Sequence, residues 1–361
     1  MHSKKFYNKG ESMLLEETLS KISPADANIA EQAQNRLNSL TKPLGSLGLL
    51  EDCARKYAAA RGDVFAKIAK PAILTFAGDH GIADEGVSAF PREVTPQMVA
   101  NFANGGAAIN VLTRHGKIKL KVIDIGVAAD CPFKGVIRKK VAPGTANFAK
   151  GPAMTIKQTK KAIEIGIKLA EKEIKRGCTL LGTGDMGIAN TTPSAALYSV
   201  FLNLDPEKTA GKGTGITDEK LQHKIDVLRK AIEFHKPNLK DPLSTLAALG
   251  GYEIAGICGV VLAAAANKIP VVVDGFISGA GALTAIQMNQ NVKDYCFFSH
   301  LSAEAGHVNA MNALGVRPIL NLDLRLGEGT GAALSMHLIE AGVKIMHEMA
   351  TFESAGVSNS K

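Results

Sequence analysis

Tryptophan is absent from the 361-residue chain, and aromatic residues make up only 5% of it. Stacking platforms for single-stranded nucleic acid are therefore scarce and no known nucleic-acid-binding module is present, so nucleic acid is not the expected partner in spite of a net charge of +8. Cysteine is sparse as well: Cys53, Cys131, Cys178, Cys258 and Cys296 are scattered with no C-x-x-C pair. An odd, dispersed set argues against a disulfide framework and against a zinc site, and implies a reduced, cytoplasmic protein. An H-E-x-x-H motif is also missing, so no metal is expected. A Walker A loop is excluded because Gly211-Lys212 is followed by Gly213 instead of Ser or Thr. The first dozen residues are polar and basic without an apolar run, which reads as an extension and not as a secretory signal, with Met13 as an alternative start.

What is abundant is apolar surface and glycine. With 46% hydrophobic and 21% charged residues the chain can bury a large core, as one large domain with an appendage or as two domains. The 36 glycines point to tight turns and close backbone approach. Positive charge concentrates between Arg114 and Lys140, where eight Lys and Arg face only Asp124 and Asp130, and again from Lys157 to Arg176. Solvated faces and a small phosphorylated ligand account for such a balance. The stretch from Leu243 to Asn267 is apolar enough to suggest a membrane span, but it contains Glu253 and a Gly-Gly pair and runs into Ile269–Val273, so a buried crossover helix is expected and no membrane.

Residues 14–68 read as helices, over Asn28–Leu40 and Ser46–Ala60, separated by Pro43 and Gly45. From residue 70 onward short β-rich runs alternate with Gly-rich turns and helical stretches: Ala72–Phe76, Leu120–Ile125, Thr179–Leu181, Ile269–Val273, Tyr295–Phe298 and Pro318–Leu322. This alternation predicts an α/β fold, a mostly parallel sheet with helices on both faces. The last helical stretch, Ala332–Met349, has no following strand and is expected to pack on the N-terminal helices. The expected division is 1–68 and 332–361 as a small helical unit from both chain ends, and 69–331 as the sheet domain.

In an open parallel sheet, ligands bind beyond the carboxyl ends of the strands. The segments there are Gly78-Asp79-His80-Gly81, Gly182 to Thr192, Asp274 to Gly281, Ser299-His300 and Gly327 to Gly331. Residues 182–187 match G-x-G-x-x-G in outline with Asp205 about twenty residues on, which keeps a dinucleotide-dependent dehydrogenase open as an alternative, as is a phosphate cradle without a dinucleotide. Against the dinucleotide, Pro193 falls where the fingerprint helix should already be running. Glu328, between glycines, is either an acid stabilising the N-terminus of the helix after it or an unshielded general base. His300 and His307 are seven residues apart, too far along one helix face to share a metal without other help. His80 reads as a structural hydrogen-bonding residue. Ser88, Phe90 and Gln97 mix apolar and polar groups as a flat heterocycle pocket would, or form an ordinary surface loop.

Taken in order, RLNSLTKPLGSLGLLE, GDHG, GVSAFPREVTPQM, GTGDMGIANTT, VVVDGFISGAGA, SHLSAEAGH and NLDLRLGEGTGAAL resemble the nicotinate-nucleotide:dimethylbenzimidazole phosphoribosyltransferases over nearly the whole chain. The resemblance implies a Rossmann-like domain with a small helical domain, and a homodimer with the active site near the subunit interface. The reaction it implies is phosphoribosyl transfer from nicotinate mononucleotide to 5,6-dimethylbenzimidazole, with no cofactor. It gives Glu328 the role of general base. Ser88, Phe90 and Gln97 would line the benzimidazole pocket; Gly184, Asp185, Met186, Gly187, Asn190, Thr191, Thr192 and Ser299 would hold phosphate and ribose; Asp274, Gly275 and Gly327 would border the same cavity. The family pattern GEMGIGNTT is broken at two places, where this chain has Asp185 for Glu and Ala189 for Gly. A non-catalytic nucleotide-binding protein on the same fold is the remaining alternative.

Overall fold

The computed structural model describes residues 13–213 and 215–358, so the extension expected over residues 1–12 lies outside the described residues. Helices α1 (Leu14–Ser20), α2 (Ala27–Asn38) and α3 (Leu49–Arg61) open the chain. Asp26 caps α2 by accepting from the Asn28 and Ile29 N–H groups, and Gly62, at φ +68°, closes α3. Strand β1 (Ala72–Gly78) is followed by α4 (Val94–Ala103), α5 (Ala108–His115), β2 (Lys119–Gly126), β3 (Val136–Arg138) and α6 (Ile156–Ile174). Then come β4 (Leu181–Met186), α7 (Thr191–Leu202), α8 (Pro206–Thr209), α9 (Asp218–His235), α10 (Pro242–Leu249) and α11 (Tyr252–Ala266). The chain ends with β5 (Val271–Val273), α12 (Phe276–Met288), β6 (Cys296–Phe298), α13 (Ala305–Leu314), α14 (Thr330–Glu348) and α15 (Phe352–Ala355).

All six strands are parallel, in the order β3-β2-β1-β4-β5-β6. The order reverses between β1 and β4, which puts a crevice at their carboxyl ends. Because side chains alternate along a strand, successive residues enter two different cores. Leu74, Phe76, Ile123, Val271 and Val273 pack toward α6, α11 and α12, whereas Ile73, Ala77, Val122 and Val272 pack with Val99, Ile109 and Met336 from α4, α5 and α14. Helices α6 and α11 touch backbone to backbone: a Cβ on Gly166 would collide with the Gly256 carbonyl, and one on Gly259 with that of Ile163. At the other end α14 lies on α2 and α3, burying Met346 with Leu37, Ala54 and Ala58, while the Arg36 guanidinium caps the carbonyls of Met346 and Met349.

Several sequence-based expectations are corrected. The run at Thr179–Leu181 only reaches the first residue of β4, so Gly182, Gly184 and Asp185 are strand residues and not the turn after a strand. Gly182 is needed there because a Cβ would stand 2.7 Å from the Met336 side chain of α14. Pro318–Leu322 forms no strand and makes a single bridge, Leu320 with His300. Strand β3, Val136–Arg138, begins with two β-branched residues but is not among the expected runs. The apolar run from Leu243 is two helices, α10 and α11, broken at Gly250-Gly251, and no helix among the described residues is long and apolar enough to cross a membrane. Pro193 is the third residue of α7, where a missing N–H removes no helical bond, so it does not interrupt the helix.

Between β4 and α7 the turn carries Ala189 at φ +70°, in the left-handed region. This accounts for glycine in the family pattern: an L side chain there costs about 1–2 kcal/mol, less about 0.5–1 kcal/mol that glycine loses in conformational entropy on folding. Ala189→Gly should therefore stabilise the fold by about 0.5–1 kcal/mol, read as a higher thermal midpoint; a lower midpoint would contradict this account of the turn.

Candidate active site

The crevice at the carboxyl ends of β1, β4 and β5 is closed over by the turn before α14. That turn has three successive left-handed residues, Gly327 at φ +79°, Glu328 at +64° and Gly329 at +100°. Glu328 is the costly member, being the one with a side chain. Its N–H donates to the Asp185 carbonyl of β4 at 3.1 Å, and its carbonyl accepts from Thr75 Oγ1 of β1 at 2.8 Å. Gly184 sits directly beneath: a Cβ would collide with the Glu328 carbonyl. Gly184, expected to hold phosphate or ribose, thus packs under this turn.

The Glu328 side chain is 3% exposed, and Oε2 accepts from the N–H of Ile109 at 3.1 Å. Ile109 is the second residue of α5, so the carboxylate meets the positive end of that helix. The reading in which Glu328 stabilises the helix following it is therefore wrong, and Asp274 does that work. Asp274 Oδ2 accepts from Gly329 N–H and Oδ1 from Ala332 N–H, at 3.1 and 2.9 Å, satisfying donors at the start of α14. Burial raises the Asp274 pKa to about 7, against the lowering effect of those N–H bonds and with the Glu328 carboxylate adding to the rise. Glu328 is also raised above its ordinary value, by burial, with the Ile109 bond opposing. Asp185 is pushed well above the carboxylate range by burial and then by Asp274 and Glu253. Its Oδ2 accepts from Asn190 Nδ2 at 3.1 Å, while Oδ1 is buried without a partner.

Beside this cluster lies a cleft of about 560 Å³, walled by Asp185, Met186, Gly187, Ile188, Asn190 and Thr191 on one side. Phe276 and Ile277 of α12, Gly213, Ser302, Glu304, Arg325, Leu326 and Gly327 complete it. A cleft of about 620 Å³ between α3 and β6, lined by Leu49, Lys56, Phe297 and Arg317, is remote from these loops and gathers none of the sequence-derived site residues.

Six of the expected ligand residues thus meet in one cleft: Asp185, Met186, Gly187, Asn190, Thr191 and Gly327. Others do not reach it. Thr192 is buried, its Oγ1 without a partner. Ser299 is fully buried and donates its hydroxyl to the Asp274 carbonyl, bracing the end of β5. Gly275 packs against His300. Ser88 Oγ accepts from Phe90 N–H, Phe90 is 49% exposed, and Gln97 lies on the exposed side of α4; none of the three enters the cleft. Helix α4 is nonetheless tied to the cleft, because Thr95 Oγ1 accepts from Ile188 N–H.

The histidines are structural in this geometry. His80 Nε2 stands 2.7 Å from Glu253 Oε1 with both side chains buried. His300 precedes α13 and His307 lies within it, so the two do not share a helix face; burial lowers their pKa values to about 4 and about 3. Among the described residues no cluster of three or more His, Cys, Asp or Glu has a metal-binding arrangement. Asp205 caps α8 and pairs with Arg229 on the surface, which removes it from the role of a dinucleotide's ribose acid.

One functional group that the sequence analysis missed is Lys224 of α9. It is 1% exposed, and Nζ donates to Thr191 Oγ1 at 2.8 Å and to the Gly211 carbonyl at 3.0 Å. Burial lowers its pKa to about 8, with the Glu304 carboxylate opposing. The signal was present: Lys224, Leu228, Ala231 and His235 form the buried stripe of α9, so a lysine occupies a core position of an amphipathic helix. Glu304, also buried, accepts from Gly213 N–H with both oxygens at 3.1 Å.

The comparisons with known proteins agree with this geometry. Residues 22–357 match a family model described as phosphoribosyltransferase. The nicotinate-nucleotide–dimethylbenzimidazole phosphoribosyltransferase of Citrifermentans bemidjiense is 54% identical over 348 residues, covering 96% of this chain and 99% of that one. The protein of the same name from Chlorobaculum parvum is 56% identical over 344 residues, covering 95% and 98%. The crystal structure of CobT from Thermus thermophilus superposes with a TM-score of 0.89 at 45% identity, over 92% of this chain and all of that one. Matched in sequence and fold over nearly its whole length, the chain belongs to the phosphoribosyltransferase family of these relatives.

Proposed function

We propose that the chain transfers the phosphoribosyl group of nicotinate mononucleotide to 5,6-dimethylbenzimidazole, giving α-ribazole 5'-phosphate and nicotinate in the assembly of the cobalamin lower ligand. Relatives of that name at 54% identity and more support the substrates. The observation that carries the chemistry is Glu328, a buried carboxylate held in a strained turn at the N-terminus of α5 and beside the cleft.

In the donor the ring nitrogen is a pyridinium. When a benzimidazole nitrogen attacks C1' of the ribose, the C1'–N bond breaks and its electron pair returns to the pyridine ring, so nicotinate leaves without needing a proton. What must be removed is the N–H proton of the attacking imidazole, and Glu328 accepts it. Its raised pKa makes it a stronger base than an exposed glutamate would be. Attack opposite the leaving ring inverts the β bond to α.

Asn190 and Thr191 at the start of α7 line the cleft and, with Lys224 behind them bonded to Thr191 Oγ1, hold the phosphate. Ser88, Phe90, Gln97 and Met186 border the benzimidazole; Met186 lines the cleft, and Thr95, on the same helix as Gln97, is bonded to Ile188 of its wall. Asp185 is a buried neighbour of the Glu328 turn more than a ligand, with Asn190 between it and the cleft. The chain is proposed to act in the cytoplasm as a homodimer, with the helices of both chain ends forming a small domain beside the catalytic one. A dehydrogenase reading has no support here, because the glycines it needs are within β4 and Asp205 is engaged elsewhere.

Two variants test the assignment. Glu328→Gln keeps the side chain's shape and cannot take the proton, so nicotinate mononucleotide should still bind while nicotinate release falls about 10²- to 10⁴-fold; turnover near that of the parent would contradict the role. Lys224→Met should raise KM for the mononucleotide about 10- to 100-fold, the loss of about 1.5–3 kcal/mol expected for a hydrogen bond to a charged group. An unchanged KM would mean that the phosphate binds elsewhere.

A further inference from the structure

Strand β1 is buried along its whole length, and Thr75 is its one polar side chain, with no exposed surface. A hydroxyl there needs a partner. The partner is the carbonyl of Glu328, which lies 253 residues on in sequence and accepts from Thr75 Oγ1 at 2.8 Å. That carbonyl belongs to the middle of the left-handed turn, where nothing local favours its orientation. Two further polar groups of the turn are held from the strands beneath, the N–H of Glu328 by the Asp185 carbonyl of β4 and the N–H of Gly329 by the Asp274 carboxylate after β5, whereas the Gly327 and Gly329 carbonyls accept from Thr330 and Ala333 of α14. The absent Cβ of Gly184 leaves the space into which the Glu328 carbonyl descends to meet Thr75. The direction in which the Glu328 side chain leaves its Cα follows from this backbone, and it leads to the Ile109 N–H at the head of α5.

We propose that Thr75 is a positioning residue for the reaction: its hydroxyl fixes the peptide after Glu328 and thereby aims the carboxylate. It does not line the cleft. The inference rests on Glu328 being the base. Losing the bond leaves binding surfaces intact but lets the carboxylate wander, and misplacement of a reacting group by about 1 Å can cost about 10²-fold in rate.

The test is steady-state kinetics on Thr75→Val, which keeps the branched shape without the donor, and Thr75→Ser, which keeps the donor without the methyl. Thr75→Val should lower kcat about tenfold, a part of that loss, with KM for both substrates within about twofold. Thr75→Ser should retain kcat within about threefold, although both variants lose packing or bonding that a thermal midpoint would register. The proposal is overturned if Thr75→Val keeps kcat within about twofold of the parent, if its effect falls on KM alone, or if Thr75→Ser loses as much kcat as Thr75→Val, since the methyl and not the hydroxyl would then matter. Glu328→Gln is assayed alongside: if it loses turnover while Thr75→Val does not, only the positioning role fails, whereas normal turnover in Glu328→Gln overturns the proposed base and with it this inference.

Discussion

Two hydrogen bonds to one carboxylate organise the active end of this molecule. Asp274, at the carboxyl end of β5, accepts from the N–H groups of Gly329 and Ala332 and so anchors the head of α14 to the sheet. Helix α14 in turn crosses from the site to the N-terminal helices, where Met346 is buried among Leu37, Ala54 and Ala58. The turn in front of α14 is held from the strands by Asp274, by the Asp185 carbonyl and by Thr75, while its Gly327 carbonyl accepts from Thr330 N–H and Oγ1 and its Gly329 carbonyl from Ala333 N–H. A helix that ties the chain ends together thus also carries at its head the glutamate proposed as the general base. An N-cap exchanged across this distance in sequence makes the placement of one glutamate a property of the whole fold.

The same arrangement concentrates acids in a dry place. Asp185, Asp274 and Glu328 are all 4% exposed or less, and each has its pKa raised by burial first and by neighbouring carboxylates or against N–H donors second. For Asp274 and Glu328 the N–H groups at the heads of α14 and α5 limit the rise. Lys224 stands behind Thr191 instead of pairing with any of the three, and Arg325 lines the cleft itself.

How much of this was legible in the sequence can be traced residue by residue. Four β-rich runs lie on observed strands because apolar β-branched residues at the sheet centre need burial on both faces. Strand β4 was placed too early since Gly182 and Gly184 have the composition of a turn; they are glycines because α14 and the Glu328 carbonyl press on them, which only the tertiary structure reveals. Pro318–Leu322 has strand composition but adds one bridge at an edge. Glu328 was legible through its flanking glycines. The roles of Asp274 and Ser299 were not, because a sequence names a residue without its direction, and both turn into the protein. Lys224 escaped notice because charge on a helix is ordinarily solvated, and its position on the buried stripe of α9 was the overlooked clue.

The acid side of the pH–rate profile tests the central claim most directly, since a general base works only when deprotonated and burial raises the pKa of Glu328. Turnover of nicotinate mononucleotide with saturating 5,6-dimethylbenzimidazole should rise with pH through an apparent pKa above the ordinary glutamate value of 4.5, and this limb should be missing from the residual rate of Glu328→Gln. A limb at or below 4.5, or one that survives unchanged in Glu328→Gln, would contradict the account.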